Sequence, residues 1–313
     1  MGRKCYLSQD YKQYEEYFDN AEDCFKIAKH GDFPNAFAYH AHANMWFLRG
    51  NRSLDDPEKL NYYAKALEIL AVARDNLSET DLQPIYELEA KVWMQIGDET
   101  KINQNLEILR DKFNSASGYY LHAELLWRKA HKKEGDEREE LSQLALRKTE
   151  KGLKYFPFDE RCLRLKAKLI KELSPDDLPK YYESLQNWKA TAAVPNTWLL
   201  YELGRAAFLL KYYDYSKEFF KELDKVGIGH RLRSRPRNPI MDEQERKKEF
   251  EGSIVNILSS YEGEIRCDVL RSLRYPIAFR PIACKFTPSR GDLVKFHIEF
   301  SFRGPIAVNV RKI

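Results

Sequence analysis

The chain has 313 residues and a mass of 37.0 kDa, enough for a substantial hydrophobic core and one to three domains. Hydrophobic residues make up 43% and charged residues 32% of the sequence, which excludes an intrinsically disordered chain. No apolar run comes near the roughly 18 residues that a membrane-spanning helix needs, so we expect no membrane partner.

The cysteines and the N-terminal residues indicate a cytoplasmic protein. The five cysteines are scattered and form no C-x-x-C pair, so neither a disulfide framework nor a metal site is expected. The segment Met1–Tyr6 leads directly into polar sequence and has no apolar core of a signal peptide. We therefore expect a reducing compartment, no metal and no cofactor.

Charge is divided unequally along the chain. From Lys225 to the end there are 18 Lys and Arg against 10 Asp and Glu, a net charge of +8, and the remainder carries 34 basic and 38 acidic residues, a net of −4. This asymmetry predicts two modules, and a polyanionic partner is expected on the second.

Residues 8 to 224 have the periodicity of helices. Apolar residues recur three and four positions apart, and Gly, Pro, Asp or Asn mark the breaks. The pattern predicts a helix over Tyr11–Lys29, a second over Ala36–Arg49, and a third beginning at Asp56-Pro57-Glu58 with Asp as the N-cap. It continues through about ten helices, which favours an array of antiparallel pairs.

Two stretches give the array a specific character. Trp93-x-x-Ile96-Gly97, followed by Phe113, has the spacing W-x-x-L-G … F. Leu203-Gly204-x-x-Ala207 is followed by Ser216-x-x-x-Phe220, and this spacing predicts that Gly204 and Ala207 let one helix approach the next while Ser216 and Phe220 fill the crossing point. Residues 1–224 thus resemble tetratricopeptide (TPR) repeats in an α-solenoid. The resemblance implies a groove that holds a protein partner, although a spacer or lid role stays open.

Residues 225–249 are predicted to be a basic linker and a short helix. Arginines at every second position would lie on one side of an extended chain, where they could follow a phosphate backbone or pair with acidic helices. A solvated linker is the alternative. The charged run Met241–Glu249 is expected to form the helix. The arginines proposed for nucleic-acid contact are Arg231, Arg233, Arg235 and Arg237.

Residues 250–313 change to the alternating pattern of β-strands. Turn residues separate the candidate strands, and five strands in so short a tail predict a small closed barrel, since an open sheet would expose its edges. The fold class expected for the chain is therefore α+β, with an α-solenoid followed by a five-stranded barrel. The predicted strands are Gly252–Leu258, Gly263–Val269, Ile277–Phe279, Leu293–Phe302 and Ile306–Val310.

The tail is similar to a cold-shock domain. Gly291-Asp292-Leu293-Val294-Lys295-Phe296 and the later Gly304-Pro305-Ile306-Ala307 match that family's G-x-x-V-x-F and G-P-x-A, and Phe250-x-Gly252-x-Ile254 matches its first strand. The resemblance implies an OB-type barrel that binds single-stranded RNA or DNA by stacking bases on aromatic side chains.

The sequence departs from that family where its first RNA-binding motif should lie. Ser260-Tyr261-Glu262-Gly263-Glu264-Ile265 replaces K-G-F-G-F-I, so two aromatics are missing and two acids are added. Tyr261 and Phe279 remain as candidates for stacking, each contributing about 1–3 kcal/mol, and Arg266 and Arg280 are candidates for phosphate contact. A structural or protein-docking barrel is slightly favoured over one that binds nucleic acid.

The order of the two modules resembles the C-terminal region of STAND-type NTPases, including sterile-alpha-motif antiviral-like proteins. The pattern F-x-x-x-G-P-x-A-x-x-x-x-x-I over Phe300–Ile313 carries this resemblance. It implies sensing or autoinhibition by the repeats, with the effector and NTPase modules outside this chain.

No enzyme is predicted. The sequence has no phosphate loop, dinucleotide loop, nucleophile elbow or H-E-x-x-H motif. His40 and His42 lie two residues apart, so on a helix they point away from each other and are expected to pack rather than bind metal. The sequence thus predicts a non-enzymatic binding or regulatory module, or alternatively a single-stranded RNA- or DNA-binding protein.

Overall fold

The computed structural model describes residues 35–226, 237–267, 269–270 and 276–313, with residues 18, 20–25 and 27 before them. Helices occupy the first part and strands the second, so the predicted fold class, a helical solenoid followed by a five-stranded barrel, is confirmed. The chain divides into two compact units, Met1–Leu169 and Ile170–Ile313. The second unit therefore holds the last helices as well as the barrel.

Ten helices between residues 35 and 226 alternate with short turns. Most of the predicted helix Tyr11–Lys29 lies outside the described residues. The helices are α1 (Ala36–Gly50), α2 (Asp56–Asn76), α3 (Gln83–Ile96), α4 (Glu99–Glu107), α5 (Ala116–Ala130), α6 (Gly135–Tyr155), α7 (Glu160–Leu173), α8 (Leu178–Thr191), α9 (Thr197–Leu209) and α10 (Tyr213–Asp224). A single π-helical turn, Ile108–Lys112, follows α4.

The beginnings of α1 and α2 agree with the predictions to within one residue. The Asn35 side chain accepts a hydrogen bond from the backbone N–H of Phe37 at 2.9 Å, the arrangement of an N-cap. Helix α2 begins at Asp56 as predicted, but the N-cap position belongs to Asp55. Tyr63 and Leu70 of α2 are fully buried against α1 and α3, so the apolar stripe of α2 forms part of the core.

The close approach predicted for the last helical pair is present. An added Cβ at Gly204 would lie 2.8 Å from the Phe220 ring, and the Ser216 hydroxyl donates to the Gly204 carbonyl at 2.8 Å. Ala207 is fully buried beside them. Glycine at position 204 therefore allows α9 and α10 to cross in contact, and this TPR-like spacing is confirmed.

The other TPR-like spacing has a different structural meaning. Gly97 adopts φ 91° and ends helix α3 as its C-cap, with its N–H bonded to the Trp93 carbonyl at 2.7 Å. A glycine with positive φ at this position stops a helix. The glycine of Trp93-x-x-Ile96-Gly97 therefore marks the end of α3, whereas Gly204 lies at a helix crossing.

The barrel closes through five strands. The strands described are β1 (Arg237–Pro239), β2 (Glu249–Ser259), β3 (Glu262–Cys267), β4 (Ile277–Phe279), β5 (Leu293–Ser301) and β6 (Gly304–Lys312). Strands β2 to β6 form the barrel in the order β5–β2–β3–β4–β6, and β6 returns to pair with β5; the short β1 lies outside it and pairs with the end of β5. All neighbours are antiparallel except β4 and β6, which are parallel.

Alternating residues of these strands fill the barrel. Val294, Phe296 and Ile298 of β5 are buried, and Ile254 and Ile265 face them from β2 and β3. This alternation is the period of two on which the strand predictions rest. The predicted strands exist, with ends that differ by up to three residues.

The predicted helix Met241–Glu249 is wrong. Asp242 accepts backbone hydrogen bonds from Gln244 and Arg246, both at 2.9 Å, and Met241 pairs with Lys247 in an isolated antiparallel bridge. The aspartate thus closes a tight turn in place of a helix. Because no helix forms, β2 begins at Glu249, three residues before the predicted start.

Candidate functional site

Five aromatic side chains join the barrel to the last helical pair within the second unit. The ring centroid of Phe300 lies 5.3 Å from that of Phe208 and 6.4 Å from that of Phe220. Phe302 meets Tyr201 edge to face at 5.3 Å. We call this set the aromatic seam. It consists of Tyr201, Phe208, Phe220, Phe300 and Phe302.

The geometry of β5 and its turn explains how the seam forms. Phe300, at the end of β5, is 0% exposed and packs with the helices. Gly304 follows the turn with φ 112°, and an added Cβ there would lie 3.5 Å from Phe220. Burying one phenylalanine contributes about 1.5–3 kcal/mol. The seam therefore holds the β5–β6 turn on helices α9 and α10.

The β2–β3 hairpin, in contrast, presents apolar side chains to solvent. Tyr261, in the turn of the hairpin, is 69% exposed. Leu258 of β2 and Ile282, which follows β4, are exposed as well. The Ile282 N–H donates to the Ser260 carbonyl at 2.9 Å, so the two segments touch. We call Ile257, Leu258, Tyr261 and Ile282 the hairpin patch. It is available to a partner.

Three residues proposed for nucleic-acid binding by the barrel are exposed, and one is not. Tyr261, Arg266 and Arg280 lie on the surface. Phe279 is 1% exposed and belongs to the barrel core. Its ring lies against Gly263, its cross-strand partner, where a Cβ would collide with it. Phe279 thus points inward and cannot stack a base, so that part of the prediction is wrong.

The predicted arginine row falls largely outside the described residues. Arg231, Arg233 and Arg235 lie outside the described residues. Arg237 begins β1, and its backbone pairs with Phe300. A row of guanidinium groups along a phosphate backbone stays a prediction.

In the first unit, a half-buried carboxylate joins helices α3, α5 and α7. Glu87 accepts hydrogen bonds from Lys91 at 2.7 Å, from Arg161 at 3.0 Å and from the Ser117 hydroxyl. Burial acts to raise the pKa of Glu87, but Lys91, Ser117 and Arg161 together hold it below its usual value. The carboxylate is therefore charged and fully partnered, which indicates a structural role.

Cations lie over aromatic rings on one face of α5 and α7. The Arg161 guanidinium is 5.5 Å from the centre of the Tyr120 ring, and the Lys168 ammonium is 5.2 Å from that of Trp127. Arg164 stands between them on α7 and is exposed. We call these five residues the α5–α7 face. The sequence signal for it is the spacing of Arg161, Arg164 and Lys168, which puts the three cations on one side of a helix.

His42 packs in the interior, as expected from the sequence, and His40 is half-buried. His42 is buried, accepts a hydrogen bond from the Trp46 indole at 3.3 Å and stacks on Phe25. Within the described residues there is no group of three or more side chains suited to hold a metal ion. Among the helices that are described, none is long and apolar enough to cross a membrane.

Neither a protein-family model nor a curated protein matches the chain. Solved structures similar to it include a thermophilic TPR protein from Thermus thermophilus, with 15% identity and a TM-score of 0.41 over 59% of this chain and 91% of that one. A STAND protein with a tetratricopeptide repeat sensor from Pyrococcus horikoshii has 17% identity and a TM-score of 0.42 over 68% of this chain and 32% of its own.

A third similar structure is the human IFIT1 dimer with m7Gppp-AAAA, which has 13% identity and a TM-score of 0.41 over 67% of this chain. The chain covers 55% of IFIT1.

Proposed function

We propose that the chain is a non-enzymatic binding and regulatory module of the cytoplasm. Its helical repeats recognise a protein partner, and its barrel serves as a docking element. The aromatic seam is the observation that supports the docking role, because it packs the β5–β6 turn against helices of the same chain. In OB-type barrels, which this one resembles, the corresponding loop contributes to the ligand face.

The α5–α7 face is the surface that we assign to the protein partner. Lys168 and Arg164 lie beside Trp127 and Tyr120, so the face offers positive charge together with aromatic area. Glu87 and Asp159 already engage Arg161 at 3.0 Å each. In the described part of the chain neither Arg164 nor Lys168 forms an ion pair with a carboxylate, although Glu124 lies beside Tyr120. The charges of Arg164 and Lys168 suit a peptide that carries carboxylates.

The second candidate function is binding of single-stranded RNA or DNA by the barrel. Exposed Tyr261, with Arg266 and Arg280 elsewhere on the barrel surface, favours it. Of the two candidates for stacking, however, Phe279 is buried, so Tyr261 alone remains, worth about 1–3 kcal/mol. Glu262 and Glu264 flank the hairpin and would repel phosphate. Docking is therefore the better supported role for the barrel.

Fluorescence anisotropy with short RNA and DNA oligomers at two salt concentrations separates the two roles of the barrel. For a docking barrel, the triple variant Tyr261→Ala/Arg266→Ala/Arg280→Ala binds as the wild type does. A nucleic-acid-binding barrel predicts an affinity that falls steeply with salt and is lost in the triple variant. Lys285→Ala/Arg290→Ala, which removes the same number of positive charges from the barrel, is the control.

The protein-binding role is tested by selecting peptides from a displayed library against the full chain. We expect acidic peptides whose binding is lost in Arg164→Glu/Lys168→Glu and kept in Lys101→Glu/Lys132→Glu. Peptides that bind all variants equally would contradict the assignment of the α5–α7 face.

A further inference from the structure

A cluster of positive charges lies on the side of the first unit formed by the π-helical turn, α5 and α6. The Arg110 guanidinium is 3.0 Å from Nδ1 of His122. Gly118, one turn earlier on α5, makes this approach possible, since a Cβ there would lie 2.8 Å from Cγ of Arg110. The π-helical turn Ile108–Lys112, a rare conformation that is frequent at functional sites, positions the arginine.

Two lysines of α6 complete the cluster. Burial and the charges of Lys148, Arg110 and Lys129 lower the pKa of His122 to about 4. Burial, Arg110 and Lys151 lower the pKa of Lys148. The neighbours that act on both groups are thus positively charged. We call Arg110, His122, Lys148 and Lys151 the cationic cluster.

Nearby acidic groups do not neutralise it. In the part of the chain that is described, no carboxylate forms an ion pair with Arg110, Lys148 or Lys151. Glu150, also on α6, reaches instead to Lys166 of α7 at 3.6 Å, and Glu99 binds Lys129 at 2.7 Å. Partly buried charges are normally paired, because like charges repel more strongly away from water. An anion from outside the chain would remove this cost.

An aromatic ring extends the same side of α6. Lys148, Lys151 and Tyr155 are three and four residues apart and so share one face of the helix. Tyr155 is 54% exposed and stacks on Tyr119 with 5.8 Å between ring centroids. The Tyr155 ring thus packs on Tyr119 while more than half of its surface is open to solvent.

We infer that the cationic cluster binds the phosphate of a nucleotide, free or within a single strand, and that Tyr155 stacks on its base. Arg110 offers planar donors that suit a phosphate, and the two lysines add positive charge from a separate helix. The exposed ring beside the charges favours a nucleotide over an inorganic anion. This site is separate from the surfaces of the proposed function and does not depend on it.

Isothermal titration calorimetry on the full chain at about 50 mM salt tests the inference with three probes: ADP, pyrophosphate and a five-residue RNA. We expect Arg110→Gln/Lys148→Gln to weaken all three by about 100-fold. Lys101→Gln/Lys132→Gln, which removes two exposed charges of the same unit, is the control and should change binding less than about threefold. Tyr155→Ala should weaken ADP and RNA about tenfold and leave pyrophosphate unchanged.

The remaining outcomes are equally decisive. Similar affinities for ADP and RNA would identify a free nucleotide, and much tighter RNA binding would identify a strand. Absence of binding by all three probes, or an equal loss in the control, would overturn the inference. The double variant should melt at or above the wild-type temperature, since it removes repulsion. If it does not fold, Lys148→Gln alone, at a half-exposed position, should still weaken binding about tenfold.

Discussion

The two hairpins of the barrel, β2–β3 and β5–β6, each carry an aromatic residue in a tight turn, yet their surroundings are opposite. Phe302 in the β5–β6 turn packs against Tyr201 of helix α9. Tyr261 in the β2–β3 turn is 69% exposed. The difference teaches that contact with a neighbouring element, rather than the turn itself, decides whether such a residue stabilises the fold or is left for a partner.

The largest effect is expected from truncating the residue that anchors the covered hairpin. Phe300→Ala removes a fully buried ring from between Phe208 and Phe220, and it should lower the free energy of unfolding by about 3–5 kcal/mol. Urea denaturation followed by tryptophan fluorescence measures this. A loss below about 1 kcal/mol would show that the seam does not stabilise the second unit.

Filling the crossing point beneath the covered hairpin should have a smaller effect. In Gly204→Ala the new methyl group would meet the Phe220 ring at 2.8 Å, so we expect a loss of about 1–3 kcal/mol despite the better helix propensity of alanine. Glu218→Ala, on the exposed side of α10, is the control and should change stability by less than about 0.5 kcal/mol. If Gly204→Ala were more stable than the wild type, helices α9 and α10 would not be in close contact at this position.

Lowering the pH should perturb the first unit and spare both hairpins. The pKa of His122 is lowered to about 4 in the folded chain, so the unfolded state binds more protons between that value and about 6.5. Stability is therefore complete above about pH 6.5 and falls as the pH drops toward 4, by about 1–2 kcal/mol after allowance for solvent screening.

Thermal melts between about pH 7 and pH 4.5, compared with those of His122→Gln, measure this dependence. His40, whose pKa burial also lowers, contributes in the same direction in both proteins. An equal slope in the variant would contradict the assignment to His122.

The smallest effect on stability is expected at the exposed hairpin. Tyr261→Ala removes a ring that stands largely in solvent and should change the free energy of unfolding by less than about 0.5 kcal/mol. A loss comparable to that of Phe300→Ala would show that the two hairpins have equivalent surroundings. Chemical denaturation under the same conditions gives both values directly.

Periodicity predicted most of the fold because it depends on which residues are apolar. Gly204, Ser216 and Phe220 were predictable as a crossing, since their spacing encodes a contact between adjacent helices. Gly97 is also the glycine of a TPR-like spacing, but it ends a helix instead of lying at a crossing. It differs from Gly204 in its φ of 91°, which the spacing of residues does not specify. The run Met241–Glu249 is rich in helix-forming residues, but Asp242 favours a turn.

The candidate sites were harder to predict, because they join residues that are distant in sequence. Burial of Phe279 depends on its pairing with Gly263, a long-range contact. The cationic cluster joins Arg110 to Lys148 across two helices, and no motif links these positions. The α5–α7 face was partly visible as a helical stripe of cations, but its aromatic half lies on another helix.

The central claim is that the barrel docks on the last helical pair through its β5–β6 turn, and a double-mutant cycle between Tyr201 and Phe302 tests it most directly. Their rings meet edge to face at 5.3 Å, so Tyr201→Ala, Phe302→Ala and the double variant should give a coupling free energy of about 0.5–1.5 kcal/mol. Additive losses, with a coupling near zero, would contradict a docked barrel.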